Sequence, residues 1–460
     1  MFGDYKIVLG YAPTRRDNFP DPKDARANKP LIDSRVKEIV RKIGNVELVD
    51  IDWLNEEGML VETEDVAKVE KHFKNAGVDA LFMPHANFGQ ESVVAQLGKA
   101  MAKPFLLWGP RDPVPPEGFA LRQTDVQCGL FASGKALLRY GVPFTYIENC
   151  WLNSPVLDRG LEDFIRVATV AKKFKGARIG QVSLRPRQFL SVMYNESELV
   201  ERFGIEIIPI NSVEIISKVQ EILKSKKGEV NEMVKSITGK ADCSTMESEQ
   251  MDKIAALELA MLELARHYNL DSMASECWTV LRSNLGIGPC FALGDLTERG
   301  LPVSCETDVL GSISSLILTA AARNSTPNFL ADITIRHPEN DNGELLWHCG
   351  PFPRVLAKEN SNPSIVDCHG QWELKHGDIT VTRFDGCRGK YSLFAGEAKG
   401  IDGPSTWGNY LWIEVDDWIK WEKKLVEGPY VHHIAGIHGK YVHILDEAVK
   451  YMGDIERDFA

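Results

Sequence analysis

The chain has 460 residues, 44% hydrophobic and 26% charged, with a formal net charge of −12. Its length asks for two or three cores. So acidic a surface repels phosphate backbones and anionic lipid, which excludes nucleic acid as a partner class.

Residues 6–11 (KIVLGY) form a short apolar strand ending in a turn. The spacing of Val36, Ile39, Val40 and Ile43 predicts a helix over 34–43. A strand at 46–51, a helix at 66–76 closed by Gly77, and strands at 78–83 and 104–108 follow. A helix at 133–140 and a strand at 143–147 complete the first run. Strand and helix in alternation imply a parallel sheet with helices on both faces.

The pattern restarts near residue 176 with GARIGQV, a loop at 183–187, a helix through 199–203 and a strand at 205–210. Residues 251–268 carry a strongly amphipathic helix. Near Asn340 the character changes: a turn cluster, then β-forming segments such as 379–384 and 391–395 separated by glycines. A helix over 441–452 is expected to end the chain. The expected architecture is α/β: two consecutive Rossmann-like parallel-sheet domains (1–172 and 173–338) followed by a C-terminal antiparallel β-barrel domain (339–460).

No run of 18 apolar residues is present, which argues against a membrane span, and MFGDYKIVLGYAPTRRD does not read as a secretory leader. Nine scattered cysteines without a CxxC pair argue against disulfides and a structural zinc, and for reduced thiols in a cytoplasmic protein.

Three segments carry candidate chemistry. In LPVSCETDV a strand ends in Glu306 and Asp308, where α/β folds place their sites; the bland alternative is a pair of charges on a helix N-terminus. In NFLADIT, Asp332 sits inside an apolar β-like run, costly unless paired or metal-bound; otherwise it is an edge-strand acid. His348, and the pair His432 and His433, stand in apolar contexts where a lone histidine is usually a hydrogen-bonded core residue. Adjacent strand residues face opposite ways, so at most one histidine of the pair normally enters a given site. As a set these residues offer O,O,N,N ligation, which suits manganese, iron or cobalt, with magnesium a weaker fit.

These segments, with YAP-TRRD, GARIGQVSLRP, GIGPCFALGDLTERGLPVSCETDVLGS, WHCG and the terminal HH, resemble the L-fucose isomerase / L-arabinose isomerase superfamily along essentially the whole chain. The resemblance implies an aldose–ketose isomerase working through an enediol, with Glu306 and Asp332 as acid/base pair. It implies Glu306, Asp332, His348 and His433 as ligands of Mn2+, with Co2+ or Mg2+ as substitutes. An aspartate at 332 leans toward the fucose side. Arg16 matches a polar residue that in relatives reaches a neighbouring subunit's substrate, and relatives form hexamers. The sugar is left open among fucose, arabinose and a 6-substituted hexose such as a sulfo-sugar.

His85, Asn87, Gln90 and Trp108 leave strand ends and are candidate substrate contacts, as are His432, Trp278 and Trp347; loop polarity and core packing are the plain alternatives. Arg15, Arg16, Arg111, Arg185 and Arg187 read as scattered surface charges rather than as one anion pocket. The competing functional classes are a non-catalytic sugar-binding or sensing protein and a metal-dependent aldolase or hydrolase.

Overall fold

The computed structural model describes residues 5–18, 21–114 and 123–460. They divide into two compact units, Tyr5–Lys172 and Lys173–Ala460.

The first unit is built on a parallel sheet of β1 (Ile7–Tyr11), β2 (Val46–Val49), β3 (Ala80–Pro84), β4 (Phe105–Trp108) and β5 (Thr145–Tyr146), in the order β2-β1-β3-β4-β5. The central run ALFMP of β3 is buried at every position, as a parallel strand covered on both faces must be. Helices α1 (Pro22–Ile43), α2 (Val66–Asn75), α3 (Glu91–Met101), α4 (Val126–Arg139) and α5 (Pro155–Phe174) supply those covers. Ile32, Val36, Leu161 and Phe164 fill one face; Phe73, Val94, Leu97 and Phe105 fill the other.

The second unit opens with another parallel sheet, β6 (Arg178–Val182), β7 (Glu206–Ile210), β8 (Ser272–Ser275) and β9 (Val303–Ser304), in the order β9-β8-β6-β7. Its helices are α6 (Glu196–Phe203), α7 (Ser212–Ser225), α8 (Lys227–Thr238), α9 (Ser248–His267), α10 (Val280–Leu285), α11 (Cys290–Glu298) and α12 (Val309–Ala321). The amphipathic segment at 251–268 is α9; it starts earlier than its periodicity indicates because Glu247 and Gln250 close a capping box.

The barrel strands are β10 (Asn328–His337), β11 (Asn340–His348), β14 (Asp378–Cys387), β15 (Lys390–Ile401), β16 (Asn409–Glu414) and β17 (His433–His438). They run β16-β11-β10-β17-β14-β15 and close through the β15–β16 pairing, every contact antiparallel. A hairpin of β12 (Ser364–Val366) and β13 (His369–Glu373) extends β16, and β18 (Glu456–Phe459) lies parallel to β15. Two parallel α/β sheets followed by a closed antiparallel barrel is the expected fold class. The compositional change near Asn340 marks the β10–β11 turn, not the start of the barrel. β10 begins in the apolar run NFLADI, which sequence alone does not separate from a parallel strand. Helix α13 (Trp418–Glu427) precedes β17, and helix α14 (Val442–Met452) forms where periodicity places it but does not end the chain, because Gly453 turns the backbone into β18.

Helix α12 (VLGSISSLILTAA) is buried along its whole length. Its small residues allow close approach to both sheets: Ser312 Oγ meets Ser272 Oγ of β8 at 2.8 Å, and Ser314 Oγ accepts from Phe384 N of β14 at 2.9 Å. Between β9 and α12 lies the turn that carries the site.

Candidate active site

Glu306 and Thr307 adopt φ of +61° and +54°, the left-handed region that costs a non-glycine residue about 1–2 kcal/mol. The turn is over-determined. Thr307 N donates to Ser275 O at 3.1 Å, Asp308 N to Cys305 O at 3.1 Å, and Ser304 Oγ to Asp308 O at 2.7 Å. Asp308 caps α12, its Oδ1 accepting from Gly311 N at 2.9 Å. The result throws the Glu306 carboxylate out beyond the C-terminal edge of the sheet, toward the barrel.

There it meets β17 and β10. Asp332 and His433 are ladder partners on these neighbouring strands. His433 Nε2 stands 2.8 Å from Glu306 Oε2 and 3.4 Å from Asp332 Oδ1. Its Nδ1 lies 2.8 Å from Asp308 Oδ2; a carboxylate only accepts, so Nδ1 carries the proton and the neutral ring presents a bare Nε2. Asp308 is itself gripped by both terminal guanidinium nitrogens of Arg383, whose Nε donates to Asp385, all fully buried or nearly so.

Glu306 Oε2, Asp332 Oδ1, His348 Nε2 and His433 Nε2 are all buried, and none makes a hydrogen bond among the described residues. The 2.8 Å approach of His433 to Glu306 is a charge contact without hydrogen-bond geometry. Two carboxylate oxygens and an imidazole lone pair turned on one another repel unless a cation or a proton lies among them. Burial opposes charging of His433, but contact with Asp308 and Glu306 outweighs it and pushes the ring up to about 10. Burial likewise opposes ionisation of Glu306, yet His433 and His348 hold it below the usual carboxylate range. Asp332, His432 and His433 each bring a ligand atom within 4.8 Å of the others. That cluster is O,N,N; with Glu306 Oε2 2.8 Å from His433 Nε2, residues 306, 332 and 433 also offer an O,O,N set, and either fits manganese or cobalt, with Asp308 behind His433 as its orienting partner.

His348 reaches the same place with different hydrogen bonding. Cys349 N donates to His348 Nδ1 at 2.9 Å, so the neutral ring carries its proton on Nε2 and faces the site as a donor.

Aromatic side chains wall the site. Trp278 Nε1 donates to Glu306 Oε1 at 2.9 Å while its ring stays 44% exposed. Phe189 stands edge-on to Trp278 at 4.9 Å and to His432 at 5.8 Å. His432 faces outward, its Nε2 3.9 Å from Asp332 Oδ1. Trp347 lies along His348 at 6.3 Å and donates to Trp407 O at 2.6 Å.

The remaining sequence candidates belong to the first unit. Asn87 Oδ1 accepts from Arg16 N at 2.9 Å, and the Arg16 guanidinium sits 3.6 Å above the Phe88 ring. Gln90 N donates to Thr14 Oγ1 at 3.2 Å. His85 is wholly buried, donates Nδ1–H to Phe88 O at 2.8 Å, and is lowered by burial to about 4. Trp108 is a core residue between sheet and helices.

Sequence reasoning did not single out Arg383, Phe189 or the holding role of Asp308. The signal for Arg383 was present: an arginine and an acid two apart, on one face of the otherwise uncharged strand ITVTRFDG.

Residues 10–175 match the family model described as fucose/sulfoquinovose isomerase, N-terminal domain. Over 433 residues, 87% of this chain and 93% of the relative, the chain is 25% identical to a sulfoquinovose isomerase of Priestia aryabhattai, and equally to that of Priestia megaterium. A sulfoquinovose isomerase of Alkalicoccus urumqiensis is 24% identical over 71% of this chain and 73% of its own length.

Proposed function

We propose that this chain is a member of the fucose isomerase-like superfamily and an aldose–ketose isomerase whose sugar carries an anionic group at C6. Three things support that substrate. The relatives are named for sulfoquinovose, the loop after β6 brings Phe189 against the site's imidazoles, and that loop carries Arg185 and an exposed Arg187. An arginine fork matches a sulfonate or phosphate.

The observation that carries the reaction is the convergence of buried, hydrogen-bond-free atoms from residues 306, 332 and 433. Glu306 Oε2, Asp332 Oδ1 and His433 Nε2 would hold a divalent cation, manganese foremost, with cobalt or magnesium as substitutes. Such an ion acts as a Lewis acid that polarises the sugar's carbonyl.

The chain's own groups do the rest. Glu306 Oε1 is committed to Trp278, which leaves Asp332 Oδ2 as the carboxylate oxygen free to carry the proton between C2 and C1. Asp332 is also the more open acid, its side chain 18% exposed against 8% for Glu306. His348 Nε2–H donates to the sugar oxygen on which negative charge develops. Trp278 and Phe189 exclude water from the carbon acid. Arg383 and Asp308 fix the His433 tautomer. A sensing protein needs none of this proton-handling apparatus.

The test uses the manganese-supplemented protein with a 6-sulfo-aldose in D2O. Asp332→Asn is expected to fold normally and to lose about 100-fold or more of both isomerisation and deuterium uptake at C1 of the ketose. Glu306→Gln is expected to lose manganese affinity as well. Full turnover in either variant sinks the assignment. Arg187→Gln should raise KM for the sulfo-sugar and leave that for a neutral hexose unchanged; equal effects on both would remove the anionic substituent.

A further inference from the structure

Three residues around the site have a cysteine as chain neighbour: Cys277 precedes Trp278, Cys305 precedes Glu306, and Cys349 follows His348. Cys277, Cys290 and Cys305 are buried and Cys349 is half-buried. The isomerase mechanism uses none of these thiols, yet they line the underside of its machinery.

Within this group Cys290, at the start of α11, brings its Sγ to 3.3 Å from that of Cys349. His369, the first residue of β13, completes a trio: one ring nitrogen and the two sulfurs lie within 4.8 Å of one another. The imidazole is already oriented. His369 Nδ1 donates to Cys349 O at 2.9 Å, which leaves Nε2 bare in the neutral ring, and burial favours that neutral form. A carbonyl holding one ring nitrogen, so that the other keeps its lone pair, is the usual support of a metal-binding histidine. Three distant segments supply these groups, so no CxxC spacing announces them.

We infer that Cys290, Cys349 and His369 form a second cation site, selective for a thiophilic d10 ion such as zinc or cadmium, whose occupancy inhibits the isomerase. Binding releases two S–H protons to solvent and changes no oxidation state; two thiolate sulfurs and one imidazole nitrogen take the ion, with solvent as fourth ligand. Bonds of about 2.3 Å place two sulfurs about 3.8 Å apart in a tetrahedron, so the pair must part by about half an ångström. That movement reaches the active centre, because Cys349 N is the group that holds His348 Nδ1 and Cys349 Sγ lies 3.3 Å from the same nitrogen. Hard manganese prefers the oxygen-rich set and leaves the sulfurs alone. The inhibition, but not the binding, rests on the isomerase reading.

The experiment replaces the two exposed thiols, Cys128 and Cys387, by serine, saturates the protein with manganese, and titrates in cadmium. The expected result is a thiolate-to-cadmium ultraviolet band that saturates at one ion per chain, a parallel fall in turnover, and recovery of both on adding a thiol chelator. Cys290→Ser should abolish the band, weaken cadmium binding by more than about 100-fold, and leave turnover resistant to cadmium. Should that variant not fold, His369→Gln takes its place, together with a map of which thiols cadmium shields from alkylation. Shielding of Cys290 and Cys349 supports the site; shielding of Cys243 or Cys368 instead overturns it. A band that survives Cys290→Ser, or inhibition without a band through loss of manganese, also overturns it. A band without any isomerase activity would fault the proposed function and leave the cation site standing.

Discussion

His433 is held by two residues that stand behind it. Asp308 fixes its tautomer and Arg383 fixes Asp308. Asp308→Asn should keep the α12 cap, since an asparagine oxygen still accepts from Gly311 N. It should nevertheless weaken manganese binding by about 10–100-fold, measured by calorimetric titration; unchanged affinity would deny Asp308 its holding role. Arg383→Met should destabilise the fold by about 3–5 kcal/mol in urea, because Asp308 and Asp385 would be left as uncompensated buried charges. The sequence exposes the two acids and the histidines because charge inside apolar runs demands explanation. It assigns Asp308 a helix-capping charge, which is correct but incomplete: its second partner lies 125 residues away, and nothing local signals so distant a contact. The hydrogen bond that sets the proton on His348 is invisible for a related reason, since it depends on a backbone N–H orientation rather than on residue type.

Among the elements, α9 and α11 share a buried charge cluster apart from the site. Glu258 is wholly buried, with neither oxygen hydrogen-bonded by geometry, beside Asp295, which Lys240 and Arg299 pair. Burial first, and the Asp295 charge after it, push Glu258 well above its ordinary value. Below about pH 4 both folded and unfolded states are protonated there and the residue is neutral to stability. As pH rises further only the unfolded chain ionises, so the folded state loses stability until the raised value is reached. Glu258→Gln should therefore raise Tm near pH 8 by the equivalent of about 1–3 kcal/mol and leave it unchanged near pH 4; the opposite trend would show that the carboxylate is ionised and paired. In the barrel, Gly436 on β17 leaves space for Phe329, whose ring lies 2.4 Å from where a Cβ would sit. Gly436→Ala should cost about 1–3 kcal/mol by denaturant titration. Long periodic elements such as α9 and α14 were legible because amphipathic spacing survives any tertiary context. Helix α3 and the β12–β13 hairpin were not, since the first is buried over most of its surface and the second is too short to show alternation.

For the whole molecule, the proposed cation set links positions 306, 332 and 433, which join the second parallel sheet to the barrel. An ion that binds only when these are assembled must stabilise the fold: about 2.7 kcal/mol at a manganese concentration 100-fold above Kd. Differential scanning should show a Tm that climbs by a few degrees with manganese and falls with chelator, a response that Asp308→Asn blunts. A Tm indifferent to manganese would mean that no such linkage exists. The fold class was legible because the switch from strand–helix alternation to consecutive β segments is a large-scale pattern. The C-terminal barrel was legible with it; which strands close it was not, since that hangs on the three-residue pairing of Lys399–Ile401 with Trp412–Glu414.

On the proposed assignment, the rung that sets Asp332 opposite His433 gives the catalyst an all-or-none character. Sliding β17 by a single position along β10 would turn the imidazole away from both acids, since neighbouring residues on a strand face opposite sides. Chemistry and strand alignment are thus one and the same variable here. Change toward new sugars has to come from the surrounding loops, because any misaligned barrel would be catalytically silent.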